Sequence, residues 1–375
     1  MSVTISATFD ESAPARPVPR PGILEIALYV GGESTVAGVN RIIKLSSNEG
    51  ALGPSPHAIA AFQAQAATMH RYPDGGAVAL RQALARQFGL DADRIVCGNG
   101  SDELIGLLVR AYAGPGDEVL YSHHGFLMYA ISARSVGATP VSAPEIGFTA
   151  SVDALLGQVT ERTKLVFLAN PNNPTGTYLP AREVARLHAG LPPHVVLALD
   201  SAYAEFVEAA DYEPGIELVH AAENVVMLRT FSKIYALGGL RVGWAYGAPD
   251  IVDTLHRLRA PFNVGAAGQA AAIAALGDLD HTGASRRHNT IWRDWTAAEL
   301  GKLGLAVTPS VCNFVLVHFP AERSADAAFD YLKTRGIIAR KVAGYHLPDC
   351  LRITIGLEDE MRLTVAALAE FLAER

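Results

Sequence analysis

Hydrophobic and polar positions change their spacing repeatedly along the chain, and these changes predict alternating helices and strands. Short runs dominated by Val, Leu and other apolar residues lie at 164–169, 195–199 and 225–228. Strands of this composition are typically covered on both faces, as in the centre of a parallel sheet. Predicted helices, such as those at 78–88 and 181–189, separate the strands. The first part of the chain therefore predicts an α/β domain with a mainly parallel central sheet between helices.

The pattern changes near residue 249, where the predicted helices become longer. Helices are predicted at 251–259, 266–276 and 285–303, and strands at 314–318, 337–340 and 351–355. We interpret this part as a smaller α+β domain. The predicted boundaries are a flexible N-terminal arm at 1–22, a large domain at 50–262, and a small domain formed by 23–49 with 263–375.

Composition narrows the function classes. The 375 residues are 50% hydrophobic and 18% charged, with a formal net charge of −7, which is typical of a soluble globular enzyme. Because basic residues form no stripe, no nucleic-acid partner is expected. No apolar run reaches the ~20 residues of a membrane span, so no membrane is expected either. Cys97, Cys312 and Cys350 lie far apart, which favours a reducing, cytoplasmic location and predicts no metal site.

The stretch from Thr230 to Lys233 follows the predicted strand at 225–228 and concentrates groups that suit a phosphate. The hydroxyls of Thr230 and Ser232 precede Lys233, and Arg241 lies eight residues further on. Hydroxyls and a bidentate guanidinium suit a phosphate, and a desolvated lysine amine is a nucleophile. This combination predicts an enzyme that holds pyridoxal phosphate through Lys233. The alternative is an ordinary surface lysine at a helix start.

Two further groups follow predicted strands at the same edge of the sheet, where parallel sheets bind ligands. Asp200 follows the strand at 195–199, and a buried carboxylate there needs a partner such as a protonated pyridine nitrogen. Tyr203 can donate a hydrogen bond to the phenolic oxygen of such a ring. Asn173 lies in the Asn- and Pro-rich loop 170–176 and can also bond a ring oxygen. A helix-capping aspartate and a plain turn are the simpler alternatives.

A third group, the segment 100–103, opens a predicted helix after a strand. The free amides of Ser101 and Asp102, together with the helix dipole, favour a phosphate. The segment also resembles the start of a dinucleotide-binding fingerprint, but Glu103 stands where the third glycine would be. Taken alone, this stretch is best interpreted as an ordinary capping segment.

Together these motifs resemble those of the fold-type I pyridoxal-phosphate-dependent aminotransferases. The resemblance rests on Asn-Pro-Asn-Asn-Pro-Thr-Gly at 170–176, Asp200-x-x-Tyr203, Thr-Phe-Ser-Lys at 230–233, Arg241, and Leu-Arg-Ile-Thr-Ile-Gly at 351–356. The similarity runs in the same order from about residue 22 to the C-terminus. Within this superfamily the chain is most similar to the histidinol-phosphate aminotransferases, which implies a homodimer with shared active sites.

The resemblance implies a role for each matching position. Lys233 would bind the cofactor covalently and then transfer a proton, with Asp200 and Tyr203 as the other catalytic residues. Phe126 would stack on the ring, and Tyr72 would reach the cofactor phosphate of the neighbouring subunit. The implied cofactor-binding residues are Ser101, Asp102, Phe126, Asn173, Asp200, Tyr203, Thr230, Ser232, Lys233, Arg241 and Tyr72. The implied substrate-binding residues are Tyr29, Asn173, Arg340 and Arg352.

The implied reaction transfers the amino group of L-histidinol phosphate to 2-oxoglutarate, giving imidazole acetol phosphate and L-glutamate in histidine biosynthesis. An aromatic amino acid aminotransferase that uses the same machinery is the alternative. A fold-type I decarboxylase or lyase, a nicotinamide-dependent dehydrogenase and a cofactor-binding regulator are further rivals. Three departures from the family pattern, at Leu28, Gly50-Ala51 and His123-His124, leave the amino donor open. We interpret the two histidines as solvated or capped side chains.

Overall fold

The computed structural model describes residues 17–28, 31–35, 38 and 41–373. Tyr29, one of the predicted substrate-binding residues, lies outside the described residues, as do residues 1–16 of the predicted arm. The strands are β1 (Ile43–Lys44), β2 (Ile95–Gly98), β3 (Glu118–Ser122), β4 (Thr139–Ala143), β5 (Glu145–Ile146), β6 (Thr149–Ala150), β7 (Thr163–Ala169), β8 (Val196–Asp200), β9 (Val225–Thr230), β10 (Gly243–Gly247), β11 (Ala306–Thr308), β12 (Phe314–His318), β13 (Ile337–Ile338), β14 (Arg340–Val342) and β15 (Leu347–Thr354).

Helices surround these strands. They are α1 (Pro56–Ala64), α2 (Val78–Phe88), α3 (Ser101–Tyr112), α4 (Leu127–Val136), α5 (Val152–Gly157), α6 (Ala181–Gly190), α7 (Ile216–Ala221), α8 (Pro249–Leu258), α9 (Ala266–Gly277), α10 (Leu279–Lys302), α11 (Ala325–Thr334) and α12 (Glu358–Ala373). In the described part of the chain, none of them combines the length and the apolar character that crossing a bilayer requires.

The central sheet has seven strands in the order β2-β10-β9-β8-β7-β3-β4. Only β10 runs antiparallel to its neighbours β2 and β9, so the prediction of a mainly parallel sheet is confirmed. Every residue of β8 and β9 is buried. In β8, Leu197 and Leu199 join the core on one face, whereas Val196 and Ala198 join the core on the other. This two-residue period explains why the apolar runs show no polar alternation.

A second, antiparallel sheet has four strands in the order β11-β12-β15-β14. It packs with α10, α11 and α12 around a separate core, to which Ile43 and Leu45 contribute from the N-terminal segment. Strand β1 pairs with β13 in parallel. Helix α9 instead shares a core with the seven-stranded sheet, where Ala271 and Ala275 cluster with Leu80 of α2. The domain boundaries drawn from the sequence stay a prediction.

Several predicted elements have different limits in the structure. The predicted helix at 285–303 begins earlier, at Leu279, because the Asp278 side chain accepts a hydrogen bond from the His281 amide at 3.1 Å and caps the first turn. The strand predicted from 337 to 340 is two strands, β13 and β14, which pair with different partners. The second difference places Arg340, one of the predicted substrate-binding residues, at the start of β14.

Candidate active site

The carboxyl ends of the parallel strands open onto one cavity between the two sheets. This placement follows from the topology, because the loops after parallel strands meet at one edge. Most of the predicted site residues line this cavity. They are Ser101, Asp102, Phe126, Asn173, Asp200, Tyr203, Thr230, Ser232, Lys233, Arg241, Arg340 and Arg352.

Lys233 lies three residues beyond the end of β9, and its amine is enclosed by protein. The Nζ atom donates to the backbone oxygens of Ser47 at 3.3 Å and Asn48 at 3.5 Å. Burial, together with the positive charge of Arg352, lowers the pKa of Lys233 to about 8. A lysine whose pKa lies near neutrality can act both as a nucleophile and as a base. The amine therefore has the properties that the sequence predicted.

Asp200 ends β8 and is buried at the base of the cavity. The Tyr129 hydroxyl donates a hydrogen bond to its Oδ2 at 2.7 Å. The other oxygen, Oδ1, is buried without a hydrogen-bond partner among the described residues. Burial raises the pKa of Asp200 to about 6, although the bond from Tyr129 acts in the opposite direction. A cationic donor that reached Oδ1 would satisfy this oxygen and keep the carboxylate ionised.

Tyr203 is 4% exposed and faces the cavity beside Lys233. Its hydroxyl accepts a hydrogen bond from Asn48 Nδ2 at 2.8 Å, and its ring packs edge-on against Phe314. Burial raises the pKa of Tyr203, so this side chain stays a neutral phenol that can donate its own proton. The predicted donor role of Tyr203 is therefore chemically available, although it stays a prediction.

Arg241 organises a cluster of phosphate-binding groups. Its Nη1 donates to Ser232 Oγ at 3.3 Å and to the Gly238 oxygen at 3.1 Å, and its Nη2 donates to Asp102 Oδ2 at 3.0 Å. The Thr230 hydroxyl accepts from the Ser232 amide at 3.1 Å, which holds the hydroxyls close together. Arg241 itself has a left-handed φ of 53°, which is uncommon for a non-glycine residue. Strain of this kind is typical of functional sites.

Two glycines allow this cluster to form at the start of α3. Gly100 has a φ of +79°, and a Cβ there would lie 2.5 Å from Arg241 Nη2. A Cβ on Gly243 would lie 2.4 Å from the Ser101 amide nitrogen. Both positions therefore require glycine for the strand, the arginine and the helix start to approach each other. The first amides of α3 have no side-chain cap. They therefore direct the positive end of the helix toward the cluster around Arg241.

The loop 170–176 is held rigidly at the end of β7. Asn170 bonds Leu179 in both directions, with its Oδ1 accepting from the amide at 2.7 Å and its Nδ2 donating to the carbonyl at 3.0 Å. Asn172 Nδ2 donates to Thr175 Oγ1 at 3.0 Å. The cavity-lining Asn173 accepts a hydrogen bond from Arg352 Nη1. The loop therefore positions Asn173 and Arg352 relative to each other.

Arg340 and Arg352 come from adjacent strands of the four-stranded sheet. Their Cα atoms are direct partners in the antiparallel pairing of β14 with β15, so both side chains project from the same face. Arg352 is 5% exposed and donates through Nη2 to the Ser46 oxygen at 2.9 Å. Because guanidinium groups directly opposite each other repel, this face favours an anion.

Two further predicted residues differ in their placement. The Phe126 ring lines the cavity next to α4 and packs edge-on against Tyr129 at 5.9 Å. Tyr72 is 83% exposed, stacks on Phe262 at 4.7 Å, and is absent from the lining of the cavity among the described residues. If Tyr72 has a role in catalysis, it acts at a site other than the catalytic cavity of its own chain.

Comparisons with known proteins place the chain in a family. The sequence model of the aminotransferase class I and II family matches residues 40–368. A histidinol-phosphate aminotransferase of Paramagnetospirillum magneticum is 62% identical over 95% of this chain and 99% of its own length. One from Rhodospirillum centenum is 58% identical over the same shares of both chains. The chain belongs to the aminotransferase class I and II family.

Solved structures support the same assignment. The crystal structure of a histidinol-phosphate aminotransferase from Sinorhizobium meliloti in complex with pyridoxal-5'-phosphate covers 97% of this aminotransferase chain, with a TM-score of 0.87 and 32% identity. It is covered over 99% of its own length. The resemblance to fold-type I aminotransferases and the predicted α/β fold class are therefore confirmed.

The residues of this aminotransferase fit pyridoxal 5'-phosphate. The unpaired Oδ1 of buried Asp200 suits a protonated ring nitrogen, and the cluster around Arg241 suits a phosphate. Lys233 supplies an amine of lowered pKa between them. An acceptor, an anion cradle and a nucleophile in one cavity match the three polar ends of this cofactor. The individual residue roles stay predictions.

Sequence reasoning missed three residues of the site. Tyr129 fixes the orientation of Asp200, Asn48 bonds both Tyr203 and the lysine, and Tyr345 lines the cavity. Tyr129 lies one helical turn after Phe126, and this spacing was the available signal. Asn48 has a left-handed φ of 54°, and an asparagine in a short polar loop after a strand favours such a conformation. Nothing in the sequence around Tyr345 indicated that this residue would line the site.

Proposed function

We propose that this protein is a pyridoxal-phosphate-dependent aminotransferase that transfers the amino group of L-histidinol phosphate to 2-oxoglutarate. One observation carries the proposal: an amine of lowered pKa, a buried carboxylate with an open oxygen, a phosphate cluster and a guanidinium pair share one cavity. The strong similarity to histidinol-phosphate aminotransferases over the whole chain supports the choice of substrate.

When bound, the cofactor supplies an electron sink that stabilises negative charge on the reacting carbon of the substrate. The protein supplies the remaining functions. Lys233 Nζ would hold the cofactor and would also carry the proton that leaves and rejoins the substrate carbon, because its pKa of about 8 permits both directions of transfer. Asp200, held by Tyr129, stays ionised opposite a positive ring nitrogen.

Arg340 and Arg352 would hold the anionic end of either substrate. Histidinol phosphate carries a phosphate, and 2-oxoglutarate carries two carboxylates, so both suit a guanidinium pair. Because Asn173 accepts a hydrogen bond from Arg352, the Arg352 guanidinium is aligned before the substrate arrives. Prior alignment lowers the entropic cost of forming the reactive complex.

We also propose that the enzyme is a homodimer in the cytoplasm, with Tyr72 acting in the neighbouring subunit's site. Tyr72 and Met69 are 83% and 80% exposed and lie with half-exposed Phe262 near the same surface. Exposed apolar side chains grouped in this way favour a protein interface. The three cysteines are buried and free, as expected in a reducing compartment.

The deciding experiment compares kcat/KM for L-histidinol phosphate and L-phenylalanine with 2-oxoglutarate as acceptor. We expect histidinol phosphate to be preferred by at least about 100-fold, because a site built for a phosphate rejects substrates that leave its cations unpaired. A preference for phenylalanine would assign the protein to aromatic amino acids instead. Formation of a decarboxylated product without 2-oxoglutarate would contradict transamination itself.

A further inference from the structure

Two exposed imidazole rings meet in a second cavity beside the catalytic cavity. His123 stacks on His346, with ring centroids 4.8 Å apart and an interplanar angle of 21°. The two residues come from different sheets: His123 follows β3 of the central sheet, and His346 precedes β15 of the antiparallel sheet. The contact therefore links a segment that follows the central sheet with one that belongs to the antiparallel sheet's side of the molecule.

Both histidines are close in sequence to residues that line the catalytic cavity. His346 follows Tyr345, and His123 lies three residues before Phe126; Tyr345 and Phe126 line the catalytic cavity. A second cavity is lined by both histidines, and Arg340 and Tyr345 line both cavities. The stacked pair therefore lines a cavity that shares two of its lining residues with the catalytic cavity.

The backbone at His346 indicates that the imidazole ring matters there. Its φ of 63° lies in the left-handed region, which glycine adopts without cost and a histidine adopts with strain. The ring is exposed, so packing in the core does not offset this backbone strain. Side chains that are held in such conformations at the edge of a site suggest a function.

The ring nitrogens of the pair are open for a ligand. Within the described residues, no ring nitrogen of His123 or His346 forms a hydrogen bond. Burial against the cavity wall lowers the pKa of His123, with smaller effects from His124 and His346, so the ring is neutral near pH 7. A neutral imidazole presents one donor and one acceptor. A ligand imidazole offers the complementary groups, together with a flat face for stacking.

We propose that the His123–His346 pair is a specificity element that receives the imidazole ring of the substrate beside the catalytic cavity. The proposal rests on the proposed function and extends it to His123, which the sequence alone suggested was solvated or capped, and to His346. A third imidazole can form a hydrogen bond in the ring plane with an open nitrogen of the pair, whereas a phenyl ring offers only a face for stacking.

The test uses the complete, cofactor-loaded enzyme with two ligands that differ only in their ring. L-Histidinol phosphate is compared with L-phenylalaninol phosphate, which keeps the amine and the phosphate. The variants are H346G, which removes one ring and relieves the left-handed strain, and H123F, which keeps a stacking ring without nitrogens. The control is H194F, because His194 is exposed and lies before the start of β8, at the opposite edge of the sheet.

For both variants we expect kcat/KM for histidinol phosphate to fall about three- to tenfold, since hydrogen bonds at an exposed rim are modest. The inhibition constant of phenylalaninol phosphate should stay within about twofold, and H346G should melt at the same temperature as the wild type or higher. The H194F control should change neither kcat/KM for histidinol phosphate nor the inhibition constant of phenylalaninol phosphate. Equal losses for both ligands, or no loss for histidinol phosphate, would overturn the specificity role and leave the proposed function intact. Failure of the wild type to turn over histidinol phosphate would overturn both.

Discussion

The two walls of the catalytic cavity are built in different ways. The cofactor wall, where we propose that the cofactor binds, comes from consecutive strand ends of one sheet, where Asp200 ends β8 and Lys233 follows β9. The wall that faces the substrate combines β14 and β15 of the other sheet with the loop at 46–49, which is distant in sequence. The first wall is set by local topology, whereas the second depends on how remote segments meet.

This difference explains why the two walls have different chemistry. On the cofactor wall, hydrogen bonds within the wall hold the key groups in place, as Tyr129 holds Asp200 and Ser232 and Asp102 hold Arg241. On the substrate wall, like-charged Arg340 and Arg352 are direct cross-strand partners and favour an anion between them. We therefore expect changes on the cofactor wall to remove chemistry and changes on the substrate wall to change affinity.

The largest expected effect comes from Lys233→Ala. Removing the amine should lower transamination by at least about 10⁴-fold, because nucleophile and proton carrier are lost together. The melting temperature should change little, since the amine's bonds to Ser47 and Asn48 are long. Lys302→Ala, which alters a 70% exposed lysine on α10, is the matched control. Turnover within tenfold of the wild type would refute the role of Lys233.

Asp200→Asn should lower kcat by about 10²- to 10³-fold, because an amide cannot stabilise a protonated ring nitrogen as a carboxylate does. In the cofactor-free protein, by contrast, the substitution should increase the stability of the fold at high pH. Burial raises the pKa of Asp200 from 3.8 to about 6, so the folded state pays a penalty that grows between these pH values and is complete above 6. The variant should therefore melt higher at pH 8 but not below pH 4.

That stability gain should be on the order of 1–3 kcal/mol in free energy of unfolding, measured by urea denaturation of the cofactor-free protein. Asp253→Asn, at a 61% exposed aspartate, serves as the control and should show no such pH dependence. A cofactor-free Asp200→Asn protein that is less stable than the wild type at pH 8 would show that this carboxylate is already compensated.

Arg352→Gln links the two walls and sharpens the comparison. We expect KM for histidinol phosphate to rise about 10- to 100-fold, because a charge-assisted contact with the phosphate is lost. The pKa of Lys233 should also rise, since the charge of Arg352 helps to lower it to about 8. The rate of cofactor incorporation follows the neutral amine, so its pH midpoint should shift upward. An unchanged pH midpoint would show that the charge of Arg352 does not influence the pKa of Lys233.

The smallest expected effect comes from Tyr72→Phe. The stacking on Phe262 is retained, and only the hydroxyl is lost. If Tyr72 reaches the cofactor phosphate of a partner subunit, the dissociation constant for the cofactor should rise about five- to tenfold, the cost of one hydrogen bond. Equilibrium dialysis at protein concentrations that keep the dimer intact measures it. Unchanged affinity would remove Tyr72 from the shared site.

The same comparison shows how far the sequence alone could lead. Asp200 and Lys233 were predictable because a buried apolar strand ends just before each of them, and parallel strand ends converge. Asn48 and Tyr345 were not predictable, because their place in the site depends on contacts between segments far apart in the chain. Gly50 is a clear case, since a Cβ there would lie 2.7 Å from the Cβ of Ala236, a contact that no local pattern encodes.

The most direct test of the account is to find where the cofactor is attached. Purified enzyme loaded with pyridoxal 5'-phosphate would be reduced with borohydride, digested and analysed by mass spectrometry. We predict that the added mass lies on the peptide that contains Lys233, and that Lys233→Ala carries none. A label on any other lysine, or undiminished labelling of the variant, would contradict the assignment of this cavity as the active site.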